Sequence, residues 1–371
     1  MKHSKAAHNL RVLSVIFIIF LFYLCFFQME RKEIGDVDIV RVLGIDKTDE
    51  GYHLTALYND NSSGNDDSVV MKTVDGKGTT IYDAYQNLKR KNKRDVTIAH
   101  TSFYLLDSDA AANGLEGCLD FLSRDQTVKT NSSIFILLST NTHDFLKKSV
   151  EDETFVQDTL TAITQKESDE LRKVDNTLAS VINHMDEDLH NLIIPYLVVE
   201  DENLYANGYA VFKNNKLFEY LDYETSQIID LANGRLITCP ICLSNGIGLE
   251  LTSIKAQKGI TRTADNKLLV NLTIDFDSDI KEVPYATEVF SSNTLSVINE
   301  MQNEYIRQYV AAIIEFSIEY GFDFLNINQI IADEHKDVWA LIKDDPSAYA
   351  DMISYQVQVS SEIANNYVIT R

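Results

Sequence analysis

The sequence predicts an α+β protein. An N-terminal membrane helix should precede mixed sheet and helix domains, with a long helix packed on a sheet in the C-terminal domain. Three observations lead there. Val12 to Phe27 is an uncharged apolar run. From Asp38 to Val199, short apolar runs alternate with stretches of helical periodicity. From Asn293 to Tyr320, the residues Val297, Met301, Tyr305, Tyr309, Ile313, Phe316 and Tyr320 recur at helical spacing, and Gly321 follows as a stop.

The first element, VLSVIFIIFLFYLCFF, holds 16 residues and would rise about 24 Å as a helix. That is short for a bilayer core of roughly 30 Å, but Arg11 can snorkel at one end, and Gln28 and Met29 extend the other. A cleaved signal peptide would end in small residues, whereas this run ends Phe22-Tyr23-Leu24-Cys25-Phe26-Phe27. Cys25 follows Tyr23-Leu24, not the small residue that a lipoprotein cut requires. The run therefore reads as a retained signal anchor. Lys2, Lys5 and Arg11 precede it, which places the N-terminus in the cytoplasm and the body outside.

The elements of the body follow in order. Asp38 to Asp46 reads as a buried strand, and His53 to Tyr58 as its hairpin partner across Gly51. Asn59 to Asp67 is a polar loop, and Ser68 to Thr73 is a third strand. Thr79 or Thr80 caps a helix to about Lys91, with Ile81, Ala84, Tyr85 and Leu88 on one face. Val96 to Leu106 reads as one strand containing His100. Asp109 is expected to cap a helix from Ala110 to Leu122 that carries Cys118 in the core.

Ile134 to Leu138 is a strand, and His143 to Val150 and Val156 to Gln165 are short helices. Residues 166–190 read as an exposed connection, and Leu192 to Val199 as a strand broken by Pro195. A second unit begins near Asp201 with a hairpin, Tyr205 to Lys213 and Lys216 to Leu221, about Asn214-Asn215. Leu249 to Lys255, Leu268 to Phe276 and Ile353 to Ser361 are its further strands. The expected organisation is a basic stub at 1–11, an anchor at 12–28, an N-terminal region at 29–200 that could hold two lobes, and a C-terminal domain at 201–371.

Charge narrows the function. The chain has 33 basic and 56 acidic residues, and three of the basic ones precede the body. The body is left with 30 against 56, a balance of -26. Such a surface repels phosphate backbones, which excludes nucleic acid as a partner class.

Motifs for chemistry are sparse. Cys239-Pro240-Ile241-Cys242 could be two packing cysteines, a disulfide if Pro240 bends the chain, or a redox or metal pair. Its flanks read as strand and turn, not as the helix N-terminus that lowers a thiol pKa. Asp275, Asp277 and Asp279 resemble the start of a calcium loop, but Ile280 and Ala286 stand where the glycine and the closing carboxylate belong. A lone His100 reads as structural. No G-x-S-x-G, H-E-x-x-H, P-loop or G-x-G-x-x-G occurs. The residues imply no enzyme, no cofactor and no metal.

The order of short signatures carries a resemblance. Glu30-Arg31-Lys32-Glu33-Ile34, then Val42-Leu43-Gly44-Ile45-Asp46, resembles the start of mature C subunits of GerA-type spore germinant receptors, the Ger(x)C family. Gly78-Thr79-Thr80-Ile81-Tyr82-Asp83-Ala84, Ala99-His100 and Leu119-Asp120-Phe121-Leu122-Ser123-Arg124 look like its next blocks. Gly208 to Lys213, Glu224-Thr225, Gly321-Phe322-Asp323 and Trp339 are similar to its C-terminal blocks. The resemblance spans about residues 29–365 and matches Asp46, His100, Arg124 and Asp323 to family positions of interface or structural role.

Two departures stand out. The family's lipobox cysteine falls here on Gln28, so the retained helix would replace a lipid. Lys129 stands near the place where relatives often carry a second arginine. The resemblance implies a non-catalytic subunit on the outer face of the spore inner membrane. Its implied partners are the membrane, the membrane-spanning A and B receptor subunits, and a small-molecule germinant met through the complex. Two alternatives stay open: an extracytoplasmic thiol-disulfide protein using Cys239 and Cys242, and a protein that binds the nutrient directly.

Overall fold

The structure is a computed structural model that describes residues 15–18, 20, 37–60, 70–170, 175–185, 191–201, 203–284, 292–343 and 345–365. Most of the anchor segment lies outside these residues. Residues 15–18 and 20 are helical and exposed, and among the described residues no helix is long and apolar enough to cross a membrane.

The first unit is built on a nine-stranded mixed sheet. Its strands are β1 (Val37–Thr48), β2 (Gly51–Asp60), β3 (Val70–Gly78), β4 (Asp95–Thr97), β5 (Phe103–Asp107), β6 (Ser133–Leu137), β7 (Ile193–Glu200), β8 (Asn203–Lys213) and β9 (Lys216–Leu221). They run in the order β3-β2-β1-β5-β6-β7-β8-β9, with β4 beside the start of β1. The centre, from β1 through β7, is parallel, and both edges are antiparallel hairpins. A parallel centre must be covered on both faces, which is why β5 and β6 are buried at every residue.

Helices supply the cover. On one face α1 (Ile81–Lys91), α2 (Ser108–Asn113), α3 (Leu115–Arg124) and, after α4 and α5, α6 (Leu178–Met185) enclose Leu43, Ile45, Tyr104 and Leu106. On the other, α4 (Thr142–Glu151) and α5 (Val156–Glu170) enclose Val42, Phe103, Leu105 and Phe135. The alternation along β5, with Phe103 and Leu105 on one side and Tyr104 and Leu106 on the other, is the two-residue period of a strand.

The second unit has a four-stranded sheet in the order β10-β11-β12-β13, formed by β10 (Cys239–Cys242), β11 (Gly248–Arg262), β12 (Leu268–Glu282) and β13 (Ile353–Asn365). The pairing is antiparallel except for β12 with β13, which is parallel. α7 (Tyr223–Ala232) precedes this sheet, and the 29-residue α8 (Ser292–Tyr320), α9 (Ile327–Glu334), α10 (Lys336–Ile342) and α11 (Pro346–Met352) lie between β12 and β13. The inward rows Leu268, Val270, Leu272, Ile274 and Phe276 share a core with Ile298, Ile306, Val310 and Ile313 of α8. The long helix packs on the sheet as expected, but on a face offset from the periodic set: Ile298, Ile306, Val310 and Ile313 are buried, whereas Val297, Tyr309 and Tyr320 are exposed.

Several expectations are corrected. Val96 to Leu106 is two strands, β4 and β5, joined by a turn at Ala99-His100, so His100 lies in a turn and not in a strand. The helix expected from Ala110 to Leu122 is broken at Gly114, and its N-cap is Asp107, not Asp109. Residues 166–190 are not simply exposed: α6 lies within them and Leu178 and Val181 are buried. β7 runs unbroken through Pro195, which pairs with Tyr209. At that pair the Tyr209 N–H turns to Ser226 Oγ (3.1 Å), so the ladder needs no donor from the proline.

The hairpin β8–β9 turns about Asn214 and Asn215, both at positive φ (50° and 60°). It does not stand with the second sheet. It completes the first sheet by pairing with β7, while Val211 and Leu221 belong to the core of the second unit and Ala210 and Phe212 to that of the first.

Candidate functional site at the seam of the two units

A charge inside an apolar stretch marks the seam. Asp230 interrupts Ile228-Ile229-Asp230-Leu231 on α7 and is buried. Its Oδ2 accepts from the Tyr209 hydroxyl at 2.6 Å, across from β8. Its Oδ1 accepts from Arg235 Nε at 2.8 Å and lies 2.7 Å from Nη2. Burial pushes the Asp230 carboxyl up despite the arginine.

A second polar joint surrounds Asp323. This carboxylate accepts from the N–H groups of Ile327 (2.8 Å) and Asn328 (2.7 Å), at the N-terminus of α9. The preceding Asn326 is left-handed (φ 53°) and its own side chain makes no cap bond, so Asp323 supplies the acceptor that those orphan donors need. Burial raises its pKa to about 6, and burial lowers that of nearby Lys258 to about 8. Lys258 Nζ donates to Asn233 Oδ1 and to the Leu325 carbonyl. Asn191 of the first unit donates to Asn326 Oδ1 at 2.9 Å, and Asn326 Nδ2 reaches Asn233 Oδ1 at 3.3 Å.

Three cavities lie along this seam. The largest, about 430 Å³, is lined by Tyr205, Tyr209, Tyr223, Asp230, Thr238 and Glu250, among others. One of about 270 Å³ includes Lys213, Ser317, Phe322, Trp339 and Tyr349. The third, about 200 Å³, includes Asp175, His184, Arg235 and Asp323. The Asp230 carboxylate joins β8 to α7 and the Asp323 carboxylate caps α9, and both accept from protein donors.

The family-matched positions are not brought together. Asp46 is buried at the end of β1 and accepts from the N–H groups of Thr142 (2.6 Å) and His143 (2.9 Å), capping α4. Burial raises its pKa against those bonds. Gly44 makes the approach possible: a Cβ there would lie 2.3 Å from Thr142 Oγ1. Arg124 is exposed in the last turn of α3 and pairs with Asp120 (2.8 Å), a contact of small energetic weight. His100 is exposed in its turn. Asp323 sits at the seam in the other unit.

The cysteine pair is also resolved. Cys239 is buried and Cys242 exposed on β10, on opposite faces of the pleat, and both are free thiols. The disulfide option is therefore not realised. Burial pushes the Cys239 thiol up to about 12, the reverse of what a redox nucleophile requires. Asp277 lies opposite Thr252 on the half-buried outer face of β12, and Asp275 opposite Lys255. Among the described residues no group of three His, Cys, Asp or Glu could hold a metal ion.

Asp230, Arg235, Lys258 and Lys213 were not singled out from the sequence. For Asp230 the cue was present, a lone carboxylate among four apolar helix positions. For Lys258 the cue is of the same kind: it stands on the inward face of β11 in the row Ile254, Ala256, Lys258, Ile260, where the alternation calls for an apolar residue.

Two family models match nearly the whole body. "Spore germination protein N-terminal domain" matches residues 30–199, and "Spore germination B3/GerAC like, C-terminal" matches residues 207–367. The chain belongs to the Ger(x)C spore germination family. It is thus a germinant-receptor C subunit by family. The solved crystal structure of the GerBC protein has the same fold, with a TM-score of 0.57 at 16% identity, covering 87% of this chain and 97% of that one. No curated protein matches the chain. The interval between the two family matches, residues 200–206, falls at the β7–β8 connection, inside one continuous sheet.

Proposed function

We propose that this chain is a non-catalytic, extracytoplasmic subunit of a nutrient germinant receptor, required for spore germination. It is tethered by residues 12–28 with a cytoplasmic stub at 1–11, and its body lies on the outer face of the spore inner membrane. Residues 29–200 and 201–371 act as the two germination-protein regions. Its partners are the membrane-spanning A and B subunits. The observation that carries this reading is the pair of family matches over both units. Two features support the non-catalytic part. The buried seam carboxylates are committed to protein donors. The buried Cys239 thiol is held in its protonated form.

Deletion of the gene tests the role. Spores should form normally and lose the response to at least one nutrient, and affinity capture from spore membranes should recover two multi-spanning proteins. A normal response to a broad germinant panel, with no such proteins captured, would overturn the reading. Replacing Cys239 and Cys242 with serine should leave germination intact. Loss of germination at normal protein level would favour thiol chemistry.

A further inference from the structure

The cavity of about 270 Å³ differs from its neighbours in the sign of its charge. Its walls are Ile318 and Phe322 from the end of α8 and the turn after it, Trp339 and Ile342 of α10, and Tyr349 of α11. Its charged lining residues are two lysines, Lys213 and Lys343, and no carboxylate lines it. In a body with 30 basic against 56 acidic residues, an acid-free pocket that includes Lys213 runs against the average. The larger cavity, by contrast, contains Asp230 and Glu250.

Two of the polar groups that line this space are Lys213 and Ser317. Lys213, at the end of β8, donates to the Tyr320 carbonyl at 2.6 Å and sits 5.7 Å from the centre of the Phe322 ring. An ammonium has three protons, so the Tyr320 bond leaves two donors. Gly321 takes the left-handed φ of 73° that ends the helix between Tyr320 and Phe322. The second group is Ser317, whose residue is 5% exposed and whose Oγ has no hydrogen-bond partner. A serine inside a helix ordinarily bonds the carbonyl one turn back. A buried hydroxyl without a partner calls for a ligand or water to complete it. The Phe322 N–H bonds the Ser317 carbonyl at 2.9 Å, so one helix end sets the hydroxyl, Gly321 and the aromatic wall in fixed relation.

We propose that this cavity binds a small organic carboxylate with an apolar or aromatic body. The carboxylate would meet the Lys213 ammonium and the Ser317 hydroxyl, and the body would lie against Phe322, Trp339 and Tyr349. Its volume, just below the usual range for ligand pockets, fits a small metabolite and not a polymer. A phosphate is disfavoured because most of the lining is apolar. The site stands on this cavity alone, so its failure would leave the receptor reading untouched.

Trp339 is the single tryptophan of the chain, so intrinsic fluorescence reports on this pocket. The full-length protein in detergent is titrated with benzoate, benzamide, benzylamine and phenyl phosphate at up to millimolar concentration. Benzoate should give a saturable change, and benzamide and benzylamine none. Lys213→Gln should weaken benzoate binding by about tenfold, the effect of losing one charge-assisted hydrogen bond, and Ser317→Ala by a few-fold. Lys213→Arg should retain most of it. No saturable change with benzoate, or an equal response to benzamide, would overturn the proposal. Tighter binding of phenyl phosphate would overturn the carboxylate assignment. If a variant fails to fold, the benzoate and benzamide pair on the parent protein still decides.

Discussion

Asp46 and Asp323 perform the same task in different units. Each is a buried carboxylate that reaches out of its own segment to accept two backbone N–H groups at the start of another helix. The sequence marks both as family-matched positions. It does not reveal the task, because the donors of Asp46 are 96 and 97 residues away. Burial makes Asp323 sensitive to pH. Its ordinary pKa is 3.8 and in the fold it is about 6. Between those values the folded state holds the proton more tightly than the unfolded chain does. Stability should therefore rise as pH falls from about 6 toward 4 and decline as pH rises through that window, by at most about 1.4 kcal/mol per pH unit from this group. Asp107, also raised to about 6 by burial, acts in the same direction. Denaturant midpoints measured across the window should show a shallower slope for Asp323→Asn than for the parent. Equal slopes would sink the assignment to Asp323.

At the scale of elements, legibility followed local chemistry. The helix capped by Thr80 was readable because its start, face and end are all local. Thr80 Oγ1 accepts from the Asp83 N–H at 3.1 Å, and Asp83 Oδ2 accepts from the Thr79 N–H at 3.0 Å. Thr80→Ala should cost about 1 kcal/mol in a chemical denaturation measurement, and Thr80→Ser almost nothing. A loss below a few tenths for the alanine variant would count against the cap. The break between α2 and α3 was missed because its partner is remote: the Leu115 N–H bonds the Asn215 carbonyl at 2.8 Å, in the β8–β9 turn. The division of β4 from β5 was hidden for a different reason. Both pair with β1, at Val37–Ile39 and at Val42–Ile45, so the apolar pattern continues across the turn between them.

At the scale of the molecule, the sequence suggests two regions but not the way they join. The expected boundary near Asp201 falls at the β7–β8 connection, inside one continuous sheet. Hairpin β8–β9 gives Ala210 and Phe212 to one core and Val211 and Leu221 to the other. Neither core can melt without exposing one face of that hairpin, so the body should unfold in one transition. Scanning calorimetry of the full-length protein in detergent would check this, and two resolved peaks would refute it. The acid excess is a property of the same scale. It keeps the body off anionic surfaces and explains nothing about the fold.

The shared hairpin has a mechanical meaning. A hinge needs a few residues that can change φ and ψ while the packed parts on either side stay intact. The chain passes from one unit to the other at Asp222, between β9 and α7, and swivelling there would strip Val211 and Leu221 from the core of the second unit. The body is therefore a strut and not a jaw. A displacement that a neighbour imposes at one end should then reach the other end as translation or tilt of the whole.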